Sequence, residues 1–237
     1  MFLPVIIFML AASAALAQCP PQGSIVCNPP VNSFLSMDFN DGSIRDYSSS
    51  NVQFTVNGNA IIADGVMSLE AKADHIYAES HGLVGPGSRT IAYWVFFSRW
   101  RGTDGNGIIS AGWDSPDEAW TTYTYTRYSQ MSLNFAGSYN DLSSTNWVGA
   151  VVTNRWYHHV VTYDEGTLAL LQYVNGEYDQ GSIIDGPLNT AAEPLYIGRN
   201  LWGRGLFGRI DDLMFYKYAL TPNEIRELYQ KGKAEGK

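Results

Sequence analysis

Trp100, Trp113, Trp120, Tyr123 and Tyr125 fall in one stretch that is also rich in Gly and Asp. Sugar rings present apolar C–H faces that stack on aromatic planes, while acids and amides take their hydroxyls. This stretch is therefore a candidate glycan platform, and Trp202, between Leu201 and Gly203, is its sixth candidate member. The competing reading is core packing, because large aromatics fill β-sandwich interiors. For Trp94 and Trp156 core packing is the reading adopted. The adjacent His158 and His159 could suggest catalysis or metal binding, but no Ser or Cys motif accompanies them, so a structural role is expected. His75 and His81 stand alone and are expected in a loop or at a core edge. Asp117 and Glu118 are neighbours, so in an extended chain their side chains would point to opposite faces.

The elements that position these residues follow from composition. The chain has 237 residues, 45% of them hydrophobic and 14% aromatic, with only 16% charged. High Tyr, Trp and Gly with low charge indicate strands and turns rather than helices. The net charge of −8 argues against a nucleic-acid partner, which needs a basic footprint. It fits cation binding, and equally solubility alone.

Residues 1–17 form an apolar run ending Ala15-Leu16-Ala17, an A-x-A pattern expected of a cleaved signal peptide. The run is too short for a good membrane span, and no other segment is long and apolar enough for one. Export to an extracellular location is the expectation. About 220 residues remain, the size of one large β-domain. Cys19 and Cys27 then fall in a Pro-rich tail, residues 18–33, where an exported pair this close is expected to form a local disulfide. Pairing between chains is the alternative. No Asn-x-Ser/Thr sequon occurs.

From Phe34 onward, short apolar or alternating runs recur between Gly, Asn, Asp and Ser clusters, the pattern of a sandwich or barrel. Met131, Leu133 and Phe135 share one face of a strand, with Ser132 and Asn134 on the other. Alternation breaks around Trp94, so both faces of that strand are expected to be covered. Asn175-Gly176 marks a type I′ hairpin turn. One helix is expected near the end: Thr221 caps it, Pro222 opens it, Glu224 completes a capping box, and Gly232 stops it. It is expected to lie across one end of the sandwich.

Four stretches in order carry a family resemblance. They are Leu35–Gly42 with Asp46–Ser49, then Arg89–Val95, then Arg155–Asp164 with Val174-Asn175-Gly176 and Pro194–Asn200, and last Phe207–Tyr216 with Ala219-Leu220-Thr221. Together they resemble the laminin-G-like jelly rolls of the concanavalin A-like lectin/glucanase superfamily. The resemblance spans residues 34–232, leaving 233–237 as a C-terminal tail. It implies an all-β, two-sheet antiparallel jelly-roll sandwich with a short C-terminal helix. Enzymes of that superfamily carry Glu-x-Asp-x-x-Glu on one strand, with acid and nucleophile on the same face. The motif is missing here, so no catalytic residue is assigned and no enzyme activity is expected. The resemblance also implies one structural Ca²⁺, for which Asp46 with Asp211 or Asp212, and Asp41 as helper, are the candidate ligands. The alternative is that these acids cap turns and pair with Arg45 or Arg209.

The expected function is a secreted, non-catalytic recognition module for a glycan or glycoconjugate. Two alternatives stand beside it: a structural component of an extracellular or mineralised matrix, and a degenerate glycan hydrolase.

Overall fold

The computed structural model describes residues 33–99, 105–127, 130–143 and 150–237. The apolar run, the Pro-rich tail with Cys19 and Cys27, and Trp100 lie outside the described residues. The strands in chain order are β1 (Ser33–Met37), β2 (Thr55–Asn57), β3 (Ile61–Ala63), β4 (Val66–Leu69), β5 (His75–Ala78), β6 (Arg89–Phe97), β7 (Gly107–Gly112) and β8 (Ala119–Arg127). They continue with β9 (Gln130–Ala136), β10 (Leu142–Ser143), β11 (Ala150–Val151), β12 (Trp156–Asp164), β13 (Ala169–Val174), β14 (Glu177–Ile183), β15 (Leu195–Ile197) and β16 (Gly208–Tyr216), followed by helix α1 (Pro222–Ala234).

Two antiparallel sheets form a sandwich. The first runs β14-β13-β12-β6-β16-β4-β3, and β1 shares the outer edge of β16 with β4. The second runs β10-β9-β8-β7-β15-β5-β2, and β11 shares the far edge of β9. This is the expected all-β sandwich with one C-terminal helix.

Alternation fills the space between the sheets. Ile91, Tyr93, Val95 and Phe97 of β6 meet Met131, Leu133 and Phe135 of β9 in one buried cluster. Burying a side chain of this size contributes about 2 kcal/mol, against about 1 for a typical hydrogen bond, so the apolar pattern decides the register. Polar ties also lie in the core, one within the first sheet and one between the sheets. Tyr93 Oη lies 2.6 Å from His159 Nδ1, and Gln172 of the first sheet donates to the Leu133 carbonyl of the second at 3.1 Å.

Both faces of β6 are covered, as its broken alternation predicts. On the outer side Ala92 joins Val160, Tyr173, Met214, Tyr216 and Ile225 in a second apolar cluster. The Trp94 ring stacks on Tyr229 of α1 at 5.6 Å. The helix therefore lies on the face of the first sheet rather than across an end, because that face is itself apolar. Its capping box forms as expected, with Thr221 and Glu224 bonding each other's backbone. Gly232 does not stop the helix, which runs to Ala234. A Cβ on Gly232 would lie 2.3 Å from Trp94 Nε1, so the missing side chain makes room for the indole. At the β13–β14 hairpin, Asn175 (φ 53°) and Gly176 (φ 79°) adopt the two left-handed conformations of a type I′ turn.

His158 and His159 are buried on opposite sides of the first sheet, one under the helix and one in the core. Burial pushes them down to about 3 and about 4, so both fold as neutral rings. An unfolded histidine titrates near 6.5, so below that pH the unfolded chain binds protons that the folded chain refuses. Stability contributed by each ring is thus present above about pH 6.5 and is lost as pH falls, by about 1.4 kcal/mol per unit. Asp211, pushed up by burial and by Asp212, acts in the opposite direction. The histidine share is therefore read as a difference between variants. Urea unfolding at pH 7 and pH 5.5 should show a smaller loss on acidification in His158→Phe and in His159→Gln than in the parent chain. Identical pH slopes in all three would refute it.

Candidate functional site

Strand β8 divides its residues between two worlds. Trp120 is fully buried, packed edge-on against Phe135 at 4.8 Å and beneath the Arg89 guanidinium. Trp120, a candidate ligand-binding residue by sequence, is thus a core residue and not part of a binding surface. The pleat sends alternate side chains to opposite faces, so Trp120 faces inward while Tyr123 and Tyr125 face outward. Tyr125 is exposed. Trp113, in the turn between β7 and β8, is 57% exposed, and Trp202, on the loop after β15, is 43% exposed.

The structure brings Trp202 to Tyr123. Their rings meet edge-on at 5.4 Å. Two further contacts fix the indole: its Nε1 donates to Asp114 Oδ2 at 2.9 Å, and the Arg204 guanidinium lies 5.9 Å from its ring. Asp114 also accepts from Ser138 Oγ at 2.9 Å. One carboxylate therefore joins the β7–β8 turn, the β9–β10 loop and the Trp202 loop. Asn140 adds a bond to Asp117 between the first two.

The Trp202 loop lies directly on β7. Asn200 N donates to the Arg204 carbonyl at 3.0 Å, and Asn200 Oδ1 accepts from Arg204 N at 2.9 Å, closing the loop on itself. A Cβ on Gly107 would come within 2.2 Å of both Asn200 N and the Arg204 carbonyl. Only glycine lets the loop approach the strand this closely. Gly107 pairs with Tyr123, which places the loop beside that ring.

Burial raises Tyr123 to about 12, helped by the charge of Asp141, so its hydroxyl stays protonated. Asp141 is itself pushed up, first by burial and then by Asp114, against the Gly137 N–H that it accepts. The surface thus carries two aromatic rings in fixed contact, a third alongside, a guanidinium and two carboxylates. Asp114, Ser138, Asp141 and Arg204 were not among the sequence candidates. They converge from three loops, and no local pattern in the sequence announces that.

A second aromatic group lies farther along the same sheet face. His75 meets Tyr196 at 5.7 Å, Tyr77 meets Tyr196 at 6.1 Å, and Arg199 lies 5.1 Å from the Tyr196 ring.

The acids considered for a metal are engaged within the protein. Asp46 is buried and accepts from the backbone N–H groups of Ser36, Ser48 and Val52 and from Ser48 Oγ, holding the turn to β1. Asp41 is exposed and caps its own turn through Ser43 N and Oγ. Asp211 and Asp212 do not alternate as a regular strand would make them. A bulge between Asp211 and Met214, with Asp212 at φ 46°, turns both toward the Lys237 ammonium, 2.9 Å from Asp211 and 2.5 Å from Asp212. Among the described residues no group of three His, Cys, Asp or Glu side chains is placed to hold a metal ion.

No curated protein is similar enough in sequence to match this chain. Solved structures share its fold. Domain 4 of AbnA, a GH43 extracellular arabinanase from Geobacillus stearothermophilus, solved in complex with arabinotriose, aligns over 84% of this chain and 98% of its own, with 20% identity and a TM-score of 0.67. The receptor binding domain of botulinum neurotoxin type G aligns over 85% of this chain at 17% identity and a TM-score of 0.61. The binding domain of Paraclostridial Mosquitocidal Protein 1 aligns over 85% at 16% identity and a TM-score of 0.66. This chain spans about half the length of those two domains, at 51% and 52%. Residues 70–226 match the Laminin_G_3 family model, and with more than half of its length so matched the chain belongs to the concanavalin A-like lectin/glucanases superfamily.

Proposed function

We propose that this protein is an exported, non-catalytic recognition module that binds a glycan on the outer face of the second sheet, around Trp202, Tyr123 and Tyr125. The observation that carries the reading is the state of Trp202: a large apolar ring left 43% exposed, yet held by Tyr123, Asp114 and Arg204. An indole fixed before the ligand arrives has little rotamer freedom left to lose, which favours affinity. Its apolar face suits the C–H face of a sugar, and the nearby carboxylates and amides suit hydroxyls. Domain 4 of AbnA, alike in fold over nearly its whole length, was solved with arabinotriose, and the neurotoxin and mosquitocidal-protein domains are binding domains by name. Hydrolysis would require a second carboxylate free to act with the first. Asp114 is occupied by Trp202 and Ser138, which supports binding without turnover. Export rests on the sequence of residues 1–17.

A panel of plant, bacterial and animal oligosaccharides tests the proposal. The chain should bind at least one member, and Trp202→Ala or Tyr125→Ala should weaken that binding about tenfold or more, roughly 1.4 kcal/mol, with the unfolding midpoint little changed. Failure of the whole panel to bind would sink the reading.

Gly107→Val should abolish the same binding although no ring is removed, because the added side chain must displace the Asn200–Arg204 loop. Normal affinity in that variant would show that the position of the loop is irrelevant.

Calcium lies outside this reading. With Asp46 satisfied by amides and Asp211 and Asp212 by Lys237, millimolar Ca²⁺ should leave the unfolding midpoint where a chelator leaves it. A rise of several degrees that Asp211→Asn removes would restore a metal site to the picture.

A further inference from the structure

A cleft of about 310 Å³ opens beside the aromatic platform, lined by Asn57, Lys72, Ala73, His75, Arg199 and Gly203. It stands at the small end of the range for ligand sites, about 300–1,000 Å³. Its lining is cationic in a chain whose net charge is −8. Among the described residues neither Lys72 nor Arg199 has a carboxylate within ion-pair distance. Of the two acids nearest Lys72 in sequence, Asp74 is buried and spent on the backbone N–H groups of Asn59, Glu70 and Ala71, and the exposed Glu70 makes no ion pair with Lys72. Arg199 instead lies over the Tyr196 ring, which leaves its N–H fork unclaimed by any acid among the described residues. The cleft is firmly built. Asn57 Nδ2 donates to the Ala73 carbonyl at 2.8 Å, and His75 Nδ1 lies 2.8 Å from the same oxygen. Gly205 packs so closely on Lys72 that a Cβ there would lie 2.5 Å from the Lys72 carbonyl. Gly203, with φ 72°, puts no side chain at the mouth.

We infer that this cleft is an anion subsite of the glycan surface, taking a sugar unit that carries a carboxylate or a sulfate ester between Lys72 and Arg199. Arg199 supplies a planar fork matched to such oxygens, and Lys72 a point charge. The inference rests on the glycan reading for the rest of the ligand. Trp202 and Arg199 belong to the same short loop, so a chain stacked on Trp202 reaches the cleft within a few sugar units.

The test uses the full chain and two readouts. In the first, calorimetry compares oligogalacturonate with the same oligosaccharide methyl-esterified, and a sulfated galactan oligosaccharide with its desulfated form. The acidic member of at least one pair should bind at least tenfold more tightly, and the pair that shows it identifies carboxylate or sulfate as the group read. Lys72→Gln and Arg199→Gln should each remove that advantage while leaving the neutral member unchanged. Trp202→Ala should weaken both members equally. Equal affinity within both pairs, or equal loss in Lys72→Gln and Arg199→Gln for both members, would overturn the subsite.

The second readout separates the two ideas should no oligosaccharide bind. Inorganic sulfate at millimolar concentration should raise the unfolding midpoint of the parent chain by more than it raises that of Arg199→Gln. A shift confined to the parent keeps the anion site while the glycan reading falls. The same shift in both removes the site as well.

Discussion

Closure of the outer face of the first sheet is the constraint on which the rest depends. Strand β6 is apolar on both sides, so the sandwich core satisfies only half of it. Helix α1 covers the other half, with Tyr229 stacked on Trp94 and Gly232 pressed against the indole. Lys237 then returns to Asp211 and Asp212, partly neutralising two carboxylates that burial would otherwise disfavour. With that face closed by its own chain, the outer face of the second sheet is the broad surface left for a ligand. The two histidines at adjacent positions of β12 follow from the same closure, one sealed in each layer.

The inner face of the second sheet is held by burial, but the loops on its outer face are held by polar contacts. Asp114 links two loops to its own turn, and Asp74 gathers three backbone N–H groups at the edge where the cleft opens. Each bond contributes only about 1 kcal/mol. Their value lies in position. An exposed indole without partners would sample several rotamers, and an exposed loop several paths. Here the carboxylate, the Tyr123 edge and the Gly107 seat act on the same loop, so the surface exists before any ligand meets it.

The fold was legible because it is written in local patterns. Met131, Leu133 and Phe135 all face inward, Asn175-Gly176 turns a hairpin, and Thr221 with Glu224 caps a helix. The site was legible only in part. Tyr123, Tyr125, Trp113 and Trp202 reach the surface, but Trp120 does not, because a single step along β8 reverses the face. Closeness in sequence groups these aromatics, whereas strand alternation separates Trp120 from Tyr123 and Tyr125. Gly232 looked like a stop because glycine disfavours helices, yet the space it leaves for Trp94 outweighs that preference, worth about 1 kcal/mol. Asp211 and Asp212 looked opposed because a regular strand alternates, and the bulge at Asp212 undoes that. Asp114, Arg204 and the cationic cleft were invisible for one common reason: their partners lie far away in the chain.

Charge sets the final condition on what this surface can take. A net charge of −8 repels polyanions at a distance, whereas Lys72 and Arg199 attract an anion that has come close. Screening decides between the two effects. At physiological ionic strength the Debye length is about 8 Å, so most of the molecule's acids are muted at the cleft while its own two cations are not. A densely charged polymer must bring many of its charges near acids such as Asp114 and Asp141 as it crosses the platform. A ligand with one charged unit beside neutral ones meets the cations in the cleft and the rings outside it. The arrangement therefore favours sparse charge over dense charge, a selectivity that neither the aromatic platform nor the cationic cleft would produce alone.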